Sequence, residues 1–204
     1  MKTSISILSV SFLVAVMMSS CAINKETVAV RQYEINNSKE VSATAFVKYA
    51  DGSVKYFKSL KLVIGAFTTP HLLGDGVTKI SPKEIIAYQN DQHYAISQTQ
   101  IVGGRQTFVA KETLPGFAVR ISKGKVNVYS KKFYNGNAGI DEYFIQAGND
   151  GKIYAYTPDL MKSIIKDNYE AMAIFNHDDD KSDMMKKLQN IADVYNNSSL
   201  VTKN

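Results

Sequence analysis

The sequence predicts an α+β protein: an antiparallel, β-rich body whose sheet curls or closes into a barrel-like form, followed by helices at the C-terminus. Three observations predict it. Short runs of apolar, β-branched and aromatic residues recur between Gly-bearing turns, the pattern of a many-stranded antiparallel sheet. The chain holds 12 Tyr and 9 Phe with no Trp, which suits half-buried strands. At Thr157-Pro158-Asp159 the apolar period changes from two residues to between three and four, so strands come first and helices last.

Taken in order, residues 1–20 read as an export signal. Lys2 is the only charge ahead of the apolar stretch Ile5 to Met18, and small residues follow it. That stretch is shorter than the ~20 apolar residues a spanning helix needs. Cys21 is the only cysteine of the chain. Met18-Ser19-Ser20-Cys21 resembles the lipobox of bacterial lipoproteins, with Met18 where Leu is usual. The resemblance implies cleavage before Cys21, diacylglycerol on its sulfur and a further fatty-acyl chain, such as palmitate, on its amino group. Several acyl chains make a stable membrane anchor. It also implies the outer membrane, because Ala22 rather than an aspartate follows the cysteine, with the leaflet left open. The alternative is ordinary secretion, with Ser20-Cys21-Ala22 as a small-residue cleavage site. Residues 21–40 read as the lipidated N-terminus and a polar tether, in which Val28 to Ile35 is also compatible with a first strand.

Residues 41–204 read as one domain, helical from about 157. Around Asp51-Gly52 a two-residue hairpin turn pairs Tyr49 with Val54, Lys48 with Lys55 and Val47 with Tyr56. That register puts Val47, Tyr49, Val54 and Tyr56 on the core face and both lysines in water. Leu60 to Ile64 reads as a buried strand, after which Thr69-Pro70 and Gly74-Asp75-Gly76 break the chain. Three further strand pairs follow: Glu84 to Tyr88 with His93 to Ser97, Phe117 to Ile121 with Val126 to Tyr129, and Tyr143 to Gln146 with Lys152 to Tyr156. Thr157 as cap and Pro158 as first helical residue open a helix containing Leu160, Met161, Ile164 and Ile165. Tyr169 to Phe175 continues it after a break. Ser182 opens a last helix to Asn196, with Met184, Leu188, Ile191 and Tyr195 on one stripe.

Repeated strand-turn units, a stretch like Lys79-Ile80-Ser81-Pro82-Lys83-Glu84-Ile85 and helices ending in Tyr195-Asn196 resemble a family of small exported proteins common in Bacteroidota. The likeness covers Ala43 to Asn196 and implies no activity.

With no cysteine pair after export, the fold depends on apolar burial and not on disulfides. Charge is uneven. Val41 to Ile140 holds 13 basic and 5 acidic residues, whereas the chain from Asp167 onward holds 4 basic and 7 acidic ones. Lysines on solvent faces of strands account for this, as does attraction to an anionic surface.

For chemistry, His71, His93 and His177 are far apart and none forms a metal-ligand pair. His177-Asp178-Asp179-Asp180 with Asp183 lacks the Gly and Glu of a calcium loop, so it reads as a solvated turn before a helix. Gly74-Asp75-Gly76 and Gly103-Gly104-Arg105 lack the setting of phosphate loops. Asp141 and Glu142 are strand neighbours that point to opposite faces. No metal, cofactor or catalytic constellation is implied. The segment that invites a partner is cationic and aromatic: Arg120, Lys123, Lys125, Lys131 and Lys132 interleave with Tyr129, Phe133 and Tyr134. Export argues against nucleic acid and leaves anionic glycan, anionic lipid or another envelope protein. The expected function is therefore a lipid-anchored envelope protein, a non-catalytic binding or accessory module. The alternative is an envelope hydrolase acting on glycan or cell-wall material.

Overall fold

The computed structural model describes residues 45–65, 67–104, 112–134, 139–177 and 183–198. The export signal 1–20, Cys21, the tether 21–40, Arg105 and Asp178 to Asp180 lie outside them. In chain order the strands are β1 Ala45–Tyr49, β2 Val54–Phe57, β3 Leu60–Gly65, β4 Thr68–Gly74, β5 Thr78–Ile80, β6 Ile85–Gln89, β7 Tyr94–Ser97, β8 Ile101–Val102, β9 Phe117–Ser122, β10 Val126–Tyr134, β11 Gly139–Ala147 and β12 Ile153–Ala155. Helices α1 Pro158–Ile165, α2 Tyr169–Asn176 and α3 Met184–Asn197 follow. The architecture is α+β, as the sequence predicts.

Nine strands form one curled sheet in the order β2-β1-β6-β7-β9-β10-β11-β12-β8, and β3-β4-β5 form a second. Every pairing is antiparallel except β12 with β8. Alternation along each strand divides the large sheet into two faces. Its outer face is apolar and covered. At the β1 end, Val47 and Tyr88 share a core with Phe57 of β2 and with Leu60, Leu72 and Ile80 of the second sheet. At the β10 end, Val126, Val128 and Ile145 pack on Met161 and Ile165 of α1, Ala171 of α2, and Leu188, Ile191 and Ala192 of α3.

Caps explain where the helices begin. Thr157 Oγ1 accepts from the Leu160 N–H at 3.2 Å, Asn168 Oδ1 from Ala171 at 2.8 Å and Asp183 Oδ1 from Met185 at 3.0 Å. The predicted stripe of α3 holds at its centre: Leu188 and Ile191 are buried with Ala192, whereas Met184 is exposed. Asn196 locks α3 to the β9–β10 turn. Its Oδ1 accepts from the Val126 N–H at 2.8 Å, and its Nδ2 donates to the Val126 carbonyl at 2.9 Å and to Ser122 Oγ at 3.2 Å. A Cβ on Gly124 would lie 2.4 Å from Asn196 Cγ, so the turn must carry Gly for the amide to approach.

Three expectations are corrected. The first hairpin pairs Lys48 with Val54, Val47 with Lys55 and Phe46 with Tyr56, one residue away from the predicted register. The Gly52 N–H donates to the Tyr49 carbonyl at 3.0 Å, the Tyr49 N–H donates to Ser53 at 2.9 Å, and Gly52 has φ +87°. This is a three-residue loop, a type I turn closed by a left-handed Gly, and the extra residue shifts the register. Val47 and Tyr49 still meet the core, but Val54 and Tyr56 are exposed and Phe57 is buried in their place. Leu60 is the only fully buried residue of the strand read as buried. Thr69-Pro70 lies inside β4 and does not end it. Because β5 pairs only with Leu72 to Gly74, no strand among the described residues pairs with that edge of β4 at Pro70, where a missing N–H is tolerated.

Candidate functional site

The inner, concave face of the large sheet carries the site. Register places Phe46, Gln89, Tyr94, Arg120, Tyr129 and Phe144 side by side across successive strands, with Lys48, Ala87, Ile96, Ala118, Lys131 and Glu142 in the neighbouring row. Flat, β1 and β12 would lie ~29 Å apart, at ~4.8 Å for each of six strand spacings. Residues from both nevertheless line one cavity of about 700 Å³, because the sheet curls around it. Lys48, Arg120, Lys123 and Lys152 bring four cations to this cavity, and Asp150 is the one carboxylate lining it among the described residues. Gln89, Gln100, Gln146 and Asn149 add amides.

The floor is built to hold these groups still. Ala118, Tyr129, Phe144 and Ile153 form a small apolar cluster beneath it. The Arg120 guanidinium lies 4.1 Å from the centroid of the Tyr94 ring and hydrogen-bonds the Tyr129 hydroxyl. That hydroxyl donates to Gln146 Oε1 at 2.7 Å. Gln146 Nε2 in turn donates to the carbonyls of Asn149 at 3.1 Å and Gly151 at 2.8 Å, which folds the β11–β12 turn against the rim. Burial is the main reason the Tyr129 phenol is pushed up to about 12, with Tyr94 adding to it and Arg120 opposing it. Tyr129 therefore stays neutral at any physiological pH. Beside them Lys131 is buried, with its Nζ 3.1 Å from Glu142 Oε2 and 5.3 Å from the centroid of the Phe144 ring.

The predicted patch is divided by strand alternation. Arg120, Lys123 and Tyr129 line the cavity, and Lys131 lies on the same face beneath it. Lys125 turns to α3, donating to the Ser198 carbonyl with its Nζ 5.9 Å from the Tyr195 ring centroid. Lys132 leaves on the opposite face and pairs with Glu112 at 2.7 Å. Tyr134 ends β10 opposite Gly139, its side chain outside the described residues. The aromatics hold the cation instead of offering free faces: Tyr129 is buried, and Tyr94 is covered by Arg120 and edged by Phe46 at 6.3 Å. Sequence reasoning missed Lys48, Tyr94, Gln146 and Lys152. Only Gln146, a polar residue ending the run Tyr143-Phe144-Ile145, left a local signal.

The histidines occupy separate places. His71 Nδ1 is 2.8 Å from the Thr69 carbonyl, and the His177 carbonyl accepts from Lys187 Nζ at 2.8 Å at the end of α2. His93 Nε2 lies 2.9 Å from the hydroxyl of buried Tyr88, and burial holds its pKa below the ordinary histidine value against the opposing pull of Asp91 and Glu112. His93, Asp91 and Glu112 share a second cavity of about 680 Å³ with Leu60, Leu62 and Ile64. Among the described residues no cluster of His, Cys, Asp and Glu is arranged to hold a metal ion, and no helix is long and apolar enough to cross a membrane.

No protein-family model, curated protein or solved structure matches the chain.

Proposed function

We propose that this protein is a non-catalytic binding module of the cell envelope, held at the outer membrane by acyl chains on Cys21, which takes an anionic glycan or lipid head group in the concave face of its large sheet. The observation that carries the reading is the pre-set cation at Arg120. A guanidinium stacked on one tyrosine and hydrogen-bonded by another loses little freedom on meeting a carboxylate or phosphate, and it binds such groups through paired N–H donors. Lys48, Lys123 and Lys152 at the same cavity supply further charge for a ligand with more than one anionic group. A cavity of about 700 Å³ suits a ligand of one or two sugar rings. The lipobox-like Met18-Ser19-Ser20-Cys21 supports the location.

Two experiments test the two halves. Cys21→Ser should abolish labelling by radioactive fatty acid and release the protein from membranes; unchanged labelling and retention would refute the anchor. A panel of oligogalacturonides and phosphorylated sugars should bind the purified protein, whereas neutral oligosaccharides of equal length should not. Equal binding of both sets, or of neither, would refute the anionic ligand.

A hydrolase is the second reading, favoured by the cavity that gathers His93, Asp91 and Glu112. It predicts cleavage of cell-wall glycan that His93→Ala abolishes.

A further inference from the structure

The β3–β4 hairpin extends past its own sheet. β5 pairs with β4 over Leu72 to Gly74 only, whereas β3 and β4 continue to the pair Gly65 with Thr68. Beyond His71 the hairpin is two strands, with no further strand paired to β4 among the described residues. Burial falls steadily towards its end: Leu60 and Leu72 are buried, Val63 and His71 half-buried, Ile64 38% exposed and Phe67 104% exposed. Isolated apolar side chains are common on protein surfaces. This one is a whole phenyl ring at the far point of a projection, close in sequence to Ile64 and Gly65.

Within the hairpin's own sequence charge has one sign. From Lys58 to Gly74 the sequence holds no carboxylate. Lys61, Leu73 and Lys79 are register partners across the three strands, so two exposed ammonium groups flank Leu73 on one face, set back from the tip. Three acids lie around the hairpin among the described residues. Asp75, at the opposite end of β4, accepts from the Lys58 and Ser59 N–H groups at 2.8 and 2.9 Å. Asp91 and Glu112 line the cavity that Lys61, Leu62 and Ile64 also line, and Glu112 is paired with Lys132.

An apolar point with a cationic collar matches the layered chemistry of a bilayer surface, where phosphates lie above acyl chains. We propose that Phe67 and Ile64 dip into the acyl boundary of an anionic membrane while Lys61 and Lys79 meet its phosphates, which gives the body a second contact with the bilayer. This contact is independent of the ligand cavity, and either reading can fail alone.

The chain has no Trp, so Phe67→Trp installs a single reporter at a position open enough to accept it. The full-length protein is studied with vesicles of phosphatidylethanolamine and phosphatidylglycerol. Either an acylated Cys21 or the uncut stretch Ile5 to Met18 keeps that chain at the vesicle, so weak capture cannot silence the reporter. Emission from the Phe67→Trp indole should shift to the blue and be quenched by lipids brominated on their acyl chains. Tyr169→Trp, at a 91% exposed site opening α2, should keep the emission of water-exposed indole. Adding Lys61→Gln and Lys79→Gln to the Phe67→Trp variant should reduce its quenching several-fold on these vesicles and leave it unchanged on phosphatidylcholine. Emission from the Phe67→Trp variant that vesicles do not move, or that is quenched no more than that of Tyr169→Trp, would overturn the proposal.

Discussion

The two faces of the nine-stranded sheet are made by alternate residues of the same strands, yet they follow opposite rules. Val126 and Val128 point outward into a core closed by three helices, while Asn127 and Tyr129, alternating with them, point inward to amides and a guanidinium. The outer face buries apolar surface at ~25 cal/mol per Å² and supplies the stability. The inner face leaves Lys48, Arg120, Lys123 and Lys152 at a cavity and places a lysine beneath it. Four cations gathered on one concave surface repel one another, so their arrangement does not help the fold. That contrast separates structure from function here: residues on the outer face should be read by melting, residues on the inner face by binding.

The largest expected effect lies outside. Leu188→Asp buries an unpaired carboxylate among Met161, Ile165 and Ile191 and should cost about 4 kcal/mol or more, lowering Tm by ~10 °C. An unaltered melt would mean that α3 does not close the core. Next is the buried pair of the inner face. Lys131→Met removes the ammonium 3.1 Å from Glu142 Oε2 and should cost ~2 kcal/mol, softened because Glu142 keeps some solvent. Adding Glu142→Leu should restore most of that loss. A double variant no more stable than the single would make the pair part of the stabilising core and blur the contrast.

Much of this was legible locally. Short strands, Gly turns and the Thr157-Pro158 start follow from neighbouring residues, so their order could be read. The register of the first hairpin could not, because Asp51-Gly52 closes either a two- or a three-residue loop and the choice lies in packing of Phe57. β4 was hidden by Pro70, acceptable only because its neighbour strand is short. Of the site, Arg120, Lys123 and Tyr129 were visible as a local cluster. Lys48 and Lys152 join them only through pairing of distant strands, which no local pattern reports. Lys125 and Lys132 were drawn in by proximity in sequence and separated by the pleat.

The smallest stability effect concerns pH. Burial lowers the His93 pKa, so between that value and ~6.5 the unfolded chain binds more protons than the folded one. This contribution is complete above ~6.5 and is lost as the pH falls through the lowered value. His93→Gln cannot titrate and keeps an acceptor for the Tyr88 hydroxyl. Its Tm should therefore decline less than that of the parent between pH 7 and pH 5; equal declines would mean that His93 does not report this burial.

Titration calorimetry with an oligogalacturonide, comparing the parent with Arg120→Gln and Arg120→Lys, tests the binding face most directly. Arg120→Gln should weaken binding about tenfold or more while Tm stays close to that of the parent, and Arg120→Lys should recover only part, because an ammonium cannot present paired donors. Undiminished affinity in Arg120→Gln would contradict the account.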